Sequence, residues 1–105
     1  MKKIVLPRAL PAKFIFPSDP SRAESWGRLT RLSSQGVSVS SLSPFQVGLR
    51  ALVFWEMRGQ KFEIEGRVLT NQREVSGYFT HYLFFIRATD RKKLSSFLID
   101  FLAHN

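Results

Sequence analysis

The fold of this chain is decided by residues 28–40, which read Arg-Leu-Thr-Arg-Leu-Ser-Ser-Gln-Gly-Val-Ser-Val-Ser. The last part alternates valine with serine, as a strand with one buried face does. Ser33, Ser34 and Gly36 form a polar corner before it, because serine hydroxyls bond to nearby backbone and glycine adopts positive φ without a steric penalty. The stretch predicts a strand, a tight corner and a second strand. Beside Arg31, the N–H groups and hydroxyls of such a corner suit an anion or the edge of a planar ligand.

The composition is that of a small globular domain. The 105 residues suffice for one modest core, and a hydrophobic content of 44% excludes a disordered chain. The absence of cysteine excludes disulfides, thiolate metal sites and a cysteine nucleophile, and it suits a reducing cytoplasm. Apolar runs stay below the roughly 18–20 residues of a membrane span, and Pro7 ends the apolar start too early for a signal peptide. We therefore expect a cytoplasmic protein without a membrane span.

The formal net charge of +8 is unevenly distributed. Residues 1–49 hold seven Lys or Arg against two acidic residues, whereas residues 50–105 hold nine against six. The excess indicates an anionic partner, which the composition leaves open as a nucleotide, a nucleic acid, an acidic protein face or an anionic membrane surface. A basic surface that has no partner is the alternative.

Six segments carry the pattern of strands separated by short polar connections: residues 12–16, 26–32, 36–42, 49–57, 61–71 and 78–86. Residues 1–11 are basic and contain two prolines, so they predict an extended arm and no helix. Six short antiparallel strands tend to close into a barrel, because closure removes exposed edges. Residues 12–87 are thus predicted to form an all-β, six-stranded antiparallel barrel.

Residues 89–104 change to the helical period. Large apolar side chains recur there at three- and four-residue spacing: Leu94, Phe97, Leu98, Phe101 and Leu102. Burial of each is worth about 1.5–3 kcal/mol, so we expect this C-terminal helix to dock on the barrel with all five inside. The arm, the barrel and the helix are predicted to form a single domain, residues 1–105.

The corner resembles the second signature of PilZ domains, Asp/Asn-x-Ser-x-x-Gly, because Ser33 and Gly36 fit that pattern. Residues 62–68, Phe-Glu-Ile-Glu-Gly-Arg-Val, look like a strand of the same family that often reads hydrophobic-x-hydrophobic-x-Gly-Arg-Val. The order of six strands and a final helix is similar to a whole PilZ domain. The resemblance implies a bacterial second-messenger signalling domain that binds cyclic di-GMP, relays the signal to a protein partner, and uses neither a cofactor nor a metal.

The resemblance also implies which residues contact the ligand: Arg8, Arg31, Ser33, Ser34 and Gly36. Arginine suits cyclic di-GMP because a guanidinium clamps a phosphate, or O6 and N7 of guanine, with two bonds. Two positions depart from the signatures. Arg31 stands where the second signature has Asp or Asn, and it cannot accept the hydrogen bonds that guanine N–H groups donate. Ile4 stands where the first signature, Arg-x-x-x-Arg, has the arginine that accompanies Arg8.

These departures favour a second hypothesis, a degenerate PilZ adaptor that does not bind cyclic di-GMP. Such a protein acts by protein–protein interaction, for example in motility or type IV pilus machinery. A third hypothesis is a small basic barrel that stacks nucleic-acid bases on its aromatic residues. The candidates are Trp26, Phe54, Trp55, Phe79 and Tyr82. Because aromatic residues at strand spacing usually belong to a core, we rank nucleic acid below the other partners.

An enzyme is not expected from the inventory of reactive residues. The two histidines, His81 and His104, are far apart in the sequence, and each stands among residues without catalytic partners. No glycine-rich phosphate loop, cluster with metal-ligand spacing or activated nucleophile can be recognised.

Overall fold

The computed structural model describes residues 4–19, 21–22 and 24–103. Within these ranges the chain forms seven strands and one helix. Their bounds are β1 (Ile4–Ile15), β2 (Ser25–Leu32), β3 (Gly36–Ser41), β4 (Arg50–Met57), β5 (Gln60–Val68), β6 (Gln72–Arg73), β7 (Phe79–Phe85) and α1 (Ala88–Ala103). Residues 1–3 of the predicted arm, and His104 at the predicted end of the helix, lie outside the described residues.

The strands form one antiparallel sheet that closes on itself. Its order is β3-β2-β1-β4-β5-β7-β6, and β3 also pairs with β7, so six strands make a barrel to which β6 adds a short edge. This architecture confirms the predicted six-stranded antiparallel barrel with a C-terminal helix. The sequence prediction missed β6, whose two residues lie in a segment that we expected to be a polar turn.

The predicted arm is part of the first strand. Residues 4–11 belong to β1, which starts at Ile4 and not at Ala12, and they pair with β2. Pro11 lies opposite Arg28 of β2, while β4 pairs with β1 only over Lys13–Ile15. Pro11 therefore stands where the second edge of β1 has no partner strand, which is a position at which a strand tolerates proline.

Aromatic side chains fill one end of the barrel. Phe45, from the connection between β3 and β4, is fully buried, and its ring lies 5.0 Å from the rings of both Phe14 and Phe16. It also stacks on His81 of β7, with 4.3 Å between ring centroids. Because Phe45 contacts β1 and β7, it closes the end of the core that the strands leave open.

The helix docks on the barrel with fewer apolar residues than expected. Leu94, Leu98 and Phe101 are buried, and Phe97 packs edge-on against Phe62 of β5 with ring centroids 5.0 Å apart. The expectation that Leu102 is also buried was wrong, since 48% of its surface is exposed. At 3.6 residues per turn Leu102 lies about 80° around the helix from Leu94, at the margin of the docked face.

The first turn of α1 is tied to the end of β7 by a charged side chain. Arg91 donates hydrogen bonds from Nη1 to the carbonyls of Phe85 and Ile86, at 2.7 and 2.9 Å. Bonds from a charged donor are stronger than neutral ones, so this contact sets where the helix leaves the barrel. No helix in the described part of the chain is long and apolar enough to cross a membrane.

The serine corner joins β2 to β3 through its own hydrogen bonds. The Ser33 hydroxyl accepts the backbone N–H groups of Gln35 and Gly36, both at 3.2 Å, and donates to the Gly36 carbonyl. The Gln35 carbonyl in turn accepts the N–H of Phe85, at 2.8 Å, which fastens the corner to β7. Because the hydroxyl is buried and fully used, Ser33 builds the corner and does not face solvent.

Gly36 lets the corner lie directly against β7. A Cβ atom on Gly36 would collide with the Leu83 carbonyl and with the ring of Tyr82. Gly66 of β5, which also pairs with β7, offers a matched comparison, because a Cβ there would meet the Leu83 Cβ at 3.3 Å and the Phe84 carbonyl oxygen at 3.4 Å and would overlap neither.

We expect Gly36→Ala to lower the free energy of unfolding by about 1–3 kcal/mol, because a backbone carbonyl cannot move aside as a side chain does. Gly66→Ala should lower it less, since the neighbours of its added Cβ lie at 3.3 Å or beyond and need to move by only a few tenths of an ångström. Urea unfolding followed by circular dichroism measures both values. An equal loss in the two variants would contradict the close contact of the corner with β7.

Candidate functional site

A bulge in β2 turns Arg31 to the outside of the barrel. Leu29 faces Val39 of β3, and Arg31 faces the next residue, Ser38, so Thr30 is an extra residue in β2. On a regular strand Leu29 and Arg31 would point to the same side. The bulge reverses the alternation after Leu29 and re-aims the next side chain. As a result Leu29 and Leu32 are both buried while Arg31 is exposed.

The first strand bulges at the same level. Between the pairs Val5–Arg31 and Leu10–Leu29, the register advances by five residues along β1 but by only two along β2. Residues 6–9 of β1 thus stand opposite the single residue Thr30 of β2 and form an arch with three extra residues, in which Leu6 is buried and Arg8 is exposed. The arch leaves room between β1 and the strands next to it.

A cavity of about 530 Å³ occupies this region. We call it the arginine cavity. Its lining comes from both bulges, from β3 and β7, and from the connection that includes β6: Leu6, Ala9, Thr30, Arg31, Ser38, Val39, Thr70, Glu74, Thr80, His81 and Tyr82. The cavity is open to solvent on one side, and its volume lies in the range of small-ligand sites.

The lining combines one cation, one carboxylate and several hydroxyl groups. Thr30 donates to the Ser38 carbonyl at 3.2 Å, and Thr80 donates to Oε1 of Glu74 at 2.9 Å. In the described part of the chain, Arg31 has no carboxylate within 4.0 Å, so its guanidinium is not engaged in an ion pair there. The cavity therefore offers a ligand both strong donors and a fixed acceptor.

His81 forms the inner wall of the cavity. Its side chain is 2% exposed, its Nε2 lies 3.1 Å from the Ser41 hydroxyl, and its Nδ1 lies 3.3 Å from the Thr70 carbonyl. Burial lowers the pKa of His81 below its usual 6.5, and the positive charge of Arg22 acts in the same direction. The ring is therefore neutral at pH 7.

The structure places only one of the five predicted ligand residues in the arginine cavity. Arg31 lines it, whereas Arg8 is exposed on the arch of β1, next to the lining residue Ala9. Ser33, Ser34 and Gly36 are buried in the corner and do not line the cavity. The side chain of Ile4 lies outside the described residues.

Sequence reasoning missed the contribution of the segment between β5 and β7. Thr70 and Glu74 line the cavity although they lie more than thirty residues after Arg31 in the sequence. Thr70 was predicted at the end of the strand 61–71, which stops at Val68, and Glu74 in the polar turn that follows. Nothing in these residues indicates which strand they will adjoin. The described residues contain no group of three or more His, Cys, Asp or Glu side chains that would hold a metal ion.

A second concave surface lies farther along β1, at Pro11 and Lys13. We call it the aromatic groove, with a volume of about 540 Å³ and a lining of Pro11, Lys13, Trp26, Phe54, Trp55, Glu56, Lys61 and Phe62. Lys13 sits between Trp26 of β2 and Phe54 of β4 in the strand register, with Nζ 4.8 Å from the centre of the Phe54 ring. Trp26 is 62% exposed, which is unusual for so large an apolar side chain.

Comparison with known proteins gives matches at the level of structure. No protein-family model matches the sequence, and no curated protein matches it. The chain is similar to YcgR in complex with c-di-GMP from Escherichia coli, with a TM-score of 0.77 and 15% identity over 98% of this chain and 45% of that one. It is also similar to the Bacillus subtilis inhibitor of motility MotI/DgrA, with a TM-score of 0.70 and 18% identity over 100% of this chain and 52% of that one.

A third match is an isolated domain. The PilZ domain of CeSA from a cellulose-synthesizing bacterium has a TM-score of 0.66 and 16% identity, over 99% of this chain and 100% of that one. This chain thus spans about half the length of the YcgR and MotI chains, and the whole of the CeSA domain. At such identities these likenesses show the fold alone.

The lowered pKa of His81 predicts a loss of stability in mild acid. The unfolded chain takes up a proton on this residue near pH 6.5, whereas the folded chain resists it, so the free energy of unfolding falls as the pH drops below about 7. We expect a slope of at most about 1.4 kcal/mol per pH unit, and a flatter profile in His81→Gln. Urea unfolding between about pH 7.5 and pH 5.5 measures both profiles. The same slope in both proteins would show that another group titrates.

Proposed function

Because the chain has the PilZ fold that its sequence predicted, we propose that it is a bacterial signalling domain that binds cyclic di-GMP in the arginine cavity. The observation that carries this proposal is the bulge at Thr30, which directs Arg31 into a cavity of about 530 Å³ on the barrel surface. The similarity to YcgR, which was solved in complex with c-di-GMP, supports the choice of ligand. The domain regulates a partner and catalyses no reaction in this proposal.

The charges around the cavity suit an anionic dinucleotide. Arg31 can donate two parallel bonds to a guanine edge or to a phosphate. Arg8, on the arch of β1 beside the cavity, is an exposed cation that a phosphate can reach without entering the cavity. The net charge of +8 attracts such a ligand over longer distances, and this part of the attraction weakens as salt rises.

We expect isothermal titration with cyclic di-GMP to show saturable binding that Arg31→Ala weakens by about tenfold or more, since a good bidentate contact contributes about 1–3 kcal/mol. Arg28→Ala is the matched control, because Arg28 is exposed on the same strand, carries the same charge and does not line the cavity. It should change the affinity by less than about threefold, at low and at physiological salt.

Two further variants distinguish a residue that contacts the ligand from a residue that holds the fold. Arg8→Ala should weaken binding mainly at low salt, because its contact is exposed. Ser33→Ala should weaken binding only together with a lower free energy of unfolding, because the Ser33 hydroxyl holds the corner. If the wild-type protein gives no heat at high ligand concentration, cyclic di-GMP binding is excluded. Equal losses in Arg31→Ala and Arg28→Ala would exclude the arginine cavity as the site.

The aromatic groove favours a second candidate function, an adaptor that acts by protein–protein interaction without cyclic di-GMP. The groove combines the exposed ring of Trp26 with two cations, Lys13 and Lys61, and one carboxylate, Glu56. Lys13 also forms an exposed ion pair with Glu24 at 3.9 Å, which an acidic partner would have to replace. We propose as its occupant an extended, acidic segment of a partner protein with one large apolar side chain, since aromatic anchors dominate many interfaces. The match to MotI, named as an inhibitor of motility, is consistent with action on a partner.

A random peptide library displayed on phage tests this candidate directly. We expect the selected peptides to be rich in Asp and Glu around an apolar residue, and to lose binding to Trp26→Ala and to Lys13→Glu. Tyr78→Ala is the matched control, because Tyr78 is 43% exposed but does not line the groove. Selected peptides that bind Trp26→Ala as tightly as the wild type would rule out the groove as the docking surface.

The nucleic-acid hypothesis gains little from the structure. Of its five aromatic candidates, only Trp26 is largely exposed, while Phe54, Phe79 and Tyr82 are half-buried and Trp55 is buried. Stacking of successive bases needs several ring faces in one exposed row.

A further inference from the structure

Glu74 is held in a fixed position at the end of β6. Its backbone N–H donates to the Tyr78 carbonyl at 2.8 Å, and its own carbonyl accepts the N–H of Gly77 at 3.0 Å, which closes the hairpin to β7. Its Oε1 accepts the Thr80 hydroxyl at 2.9 Å. Because the main chain and one carboxylate oxygen are both anchored, the residue presents its remaining acceptor, Oε2, in a defined place.

Glu74 and Arg31 line the same cavity without neutralising each other. Among the described residues, the Thr80 hydroxyl is the partner of the Glu74 side chain, and no ion pair within 4.0 Å joins it to Arg31. Two opposite charges that line one cavity without contacting each other can both form hydrogen bonds to a ligand bound there. That group must accept hydrogen bonds on one edge and donate them on another.

Guanine has this arrangement of edges. Its O6 and N7 are both acceptors, which suits a guanidinium, and its N1–H and N2–H₂ are donors, which suit a carboxylate. Adenine presents the N6 amino group where guanine has O6, so it would place a donor against Arg31. A phosphate alone would meet Arg31 favourably but would be repelled by Glu74.

We infer that Glu74 is the residue that makes the arginine cavity specific for guanine: Glu74 accepts from N1–H and N2–H₂ while Arg31 donates to O6 and N7. The inference rests on the proposed function and adds the residue that determines the specificity for guanine. It also resolves the difficulty raised by Arg31 in the corner signature. The acceptor that a guanine needs comes from the β6–β7 hairpin, which contributes Glu74 to the cavity lining, and not from the position before the serine corner.

Titration calorimetry with three cyclic dinucleotides tests the inference. The ligands are cyclic di-GMP, the hypoxanthine analogue that lacks the N2 amino group, and cyclic di-AMP. We expect the wild type to bind cyclic di-GMP about tenfold or more tightly than either analogue. Glu74→Gln keeps an oxygen for Thr80 and so keeps the fold, but it should lose most of that preference.

Two further variants test whether the loss of preference is specific to the carboxylate of Glu74. Glu74→Asp keeps the charge but withdraws the carboxylate by one methylene group, and it should lose the preference as well. Glu63→Gln removes an exposed charge that lines neither the arginine cavity nor the aromatic groove, and it should behave as the wild type does. Thermal unfolding followed by circular dichroism checks that each variant is folded at the temperature of the titration.

The outcomes distinguish this inference from the proposed function. If the wild type binds cyclic di-GMP and Glu74→Gln keeps the full preference over the hypoxanthine analogue, Glu74 does not read the base and only the inference fails. If the wild type binds none of the three ligands, the proposed function fails and the inference falls with it. Loss of preference in Glu74→Gln and Glu74→Asp, but not in Glu63→Gln, establishes the assignment.

Discussion

The candidate site depends on one break in the alternation of a strand. Leu29 and Leu32 both point into the core, although they are three residues apart, and a strand can do this only if one residue between them is left out of the register. Thr30 is that residue, and its hydroxyl bonds to the Ser38 carbonyl of the facing strand. The core thereby keeps two leucines, each worth about 1.5–3 kcal/mol of burial, and the charge of Arg31 is directed outward.

The pairing of β1 with β2 also changes its register at this bulge. β1 pairs with β2 on both sides of the bulge, so the chain between Val5 and Leu10 must arch over the place where the register changes. The arch keeps Leu6 in contact with the core and leaves Arg8 exposed. The cavity thus lies where two irregularities meet: β2 has one extra residue relative to β3, and β1 has three extra residues relative to β2.

Local sequence patterns determined most of the fold. The alternation in β2, β3 and β5 and the helical spacing after residue 88 are properties of short segments, and they were sufficient to predict the barrel and its helix. The spacing of Leu29 and Leu32 was a visible sign of the bulge that the prediction did not use. Burial of Leu102 was wrongly predicted, because the periodic pattern does not show where the barrel surface beneath the helix ends.

The site was predicted less completely, because its residues meet through pairings between distant strands. Arg31 was identified from the corner signature, but Thr80 and Glu74 become its neighbours only when β7 pairs with β3 and closes the barrel. Such pairing depends on the register of whole strands, and no local period encodes it. A two-residue strand such as β6 carries too few residues to show any alternation.

The residues that fit the PilZ signature and the residue that departs from it have different roles in this structure. Ser33 and Gly36, which fit the signature, are occupied with the backbone of the corner and with the close approach to β7. Any substitution there would disturb the closure of the barrel, whatever ligand the protein binds. Arg31, which departs from the signature, carries no such structural duty, since its side chain points out of the barrel into the cavity. The part of the signature that this chain retains therefore reports the fold, and the chemistry of the ligand has to be read from the side chains that line the cavity.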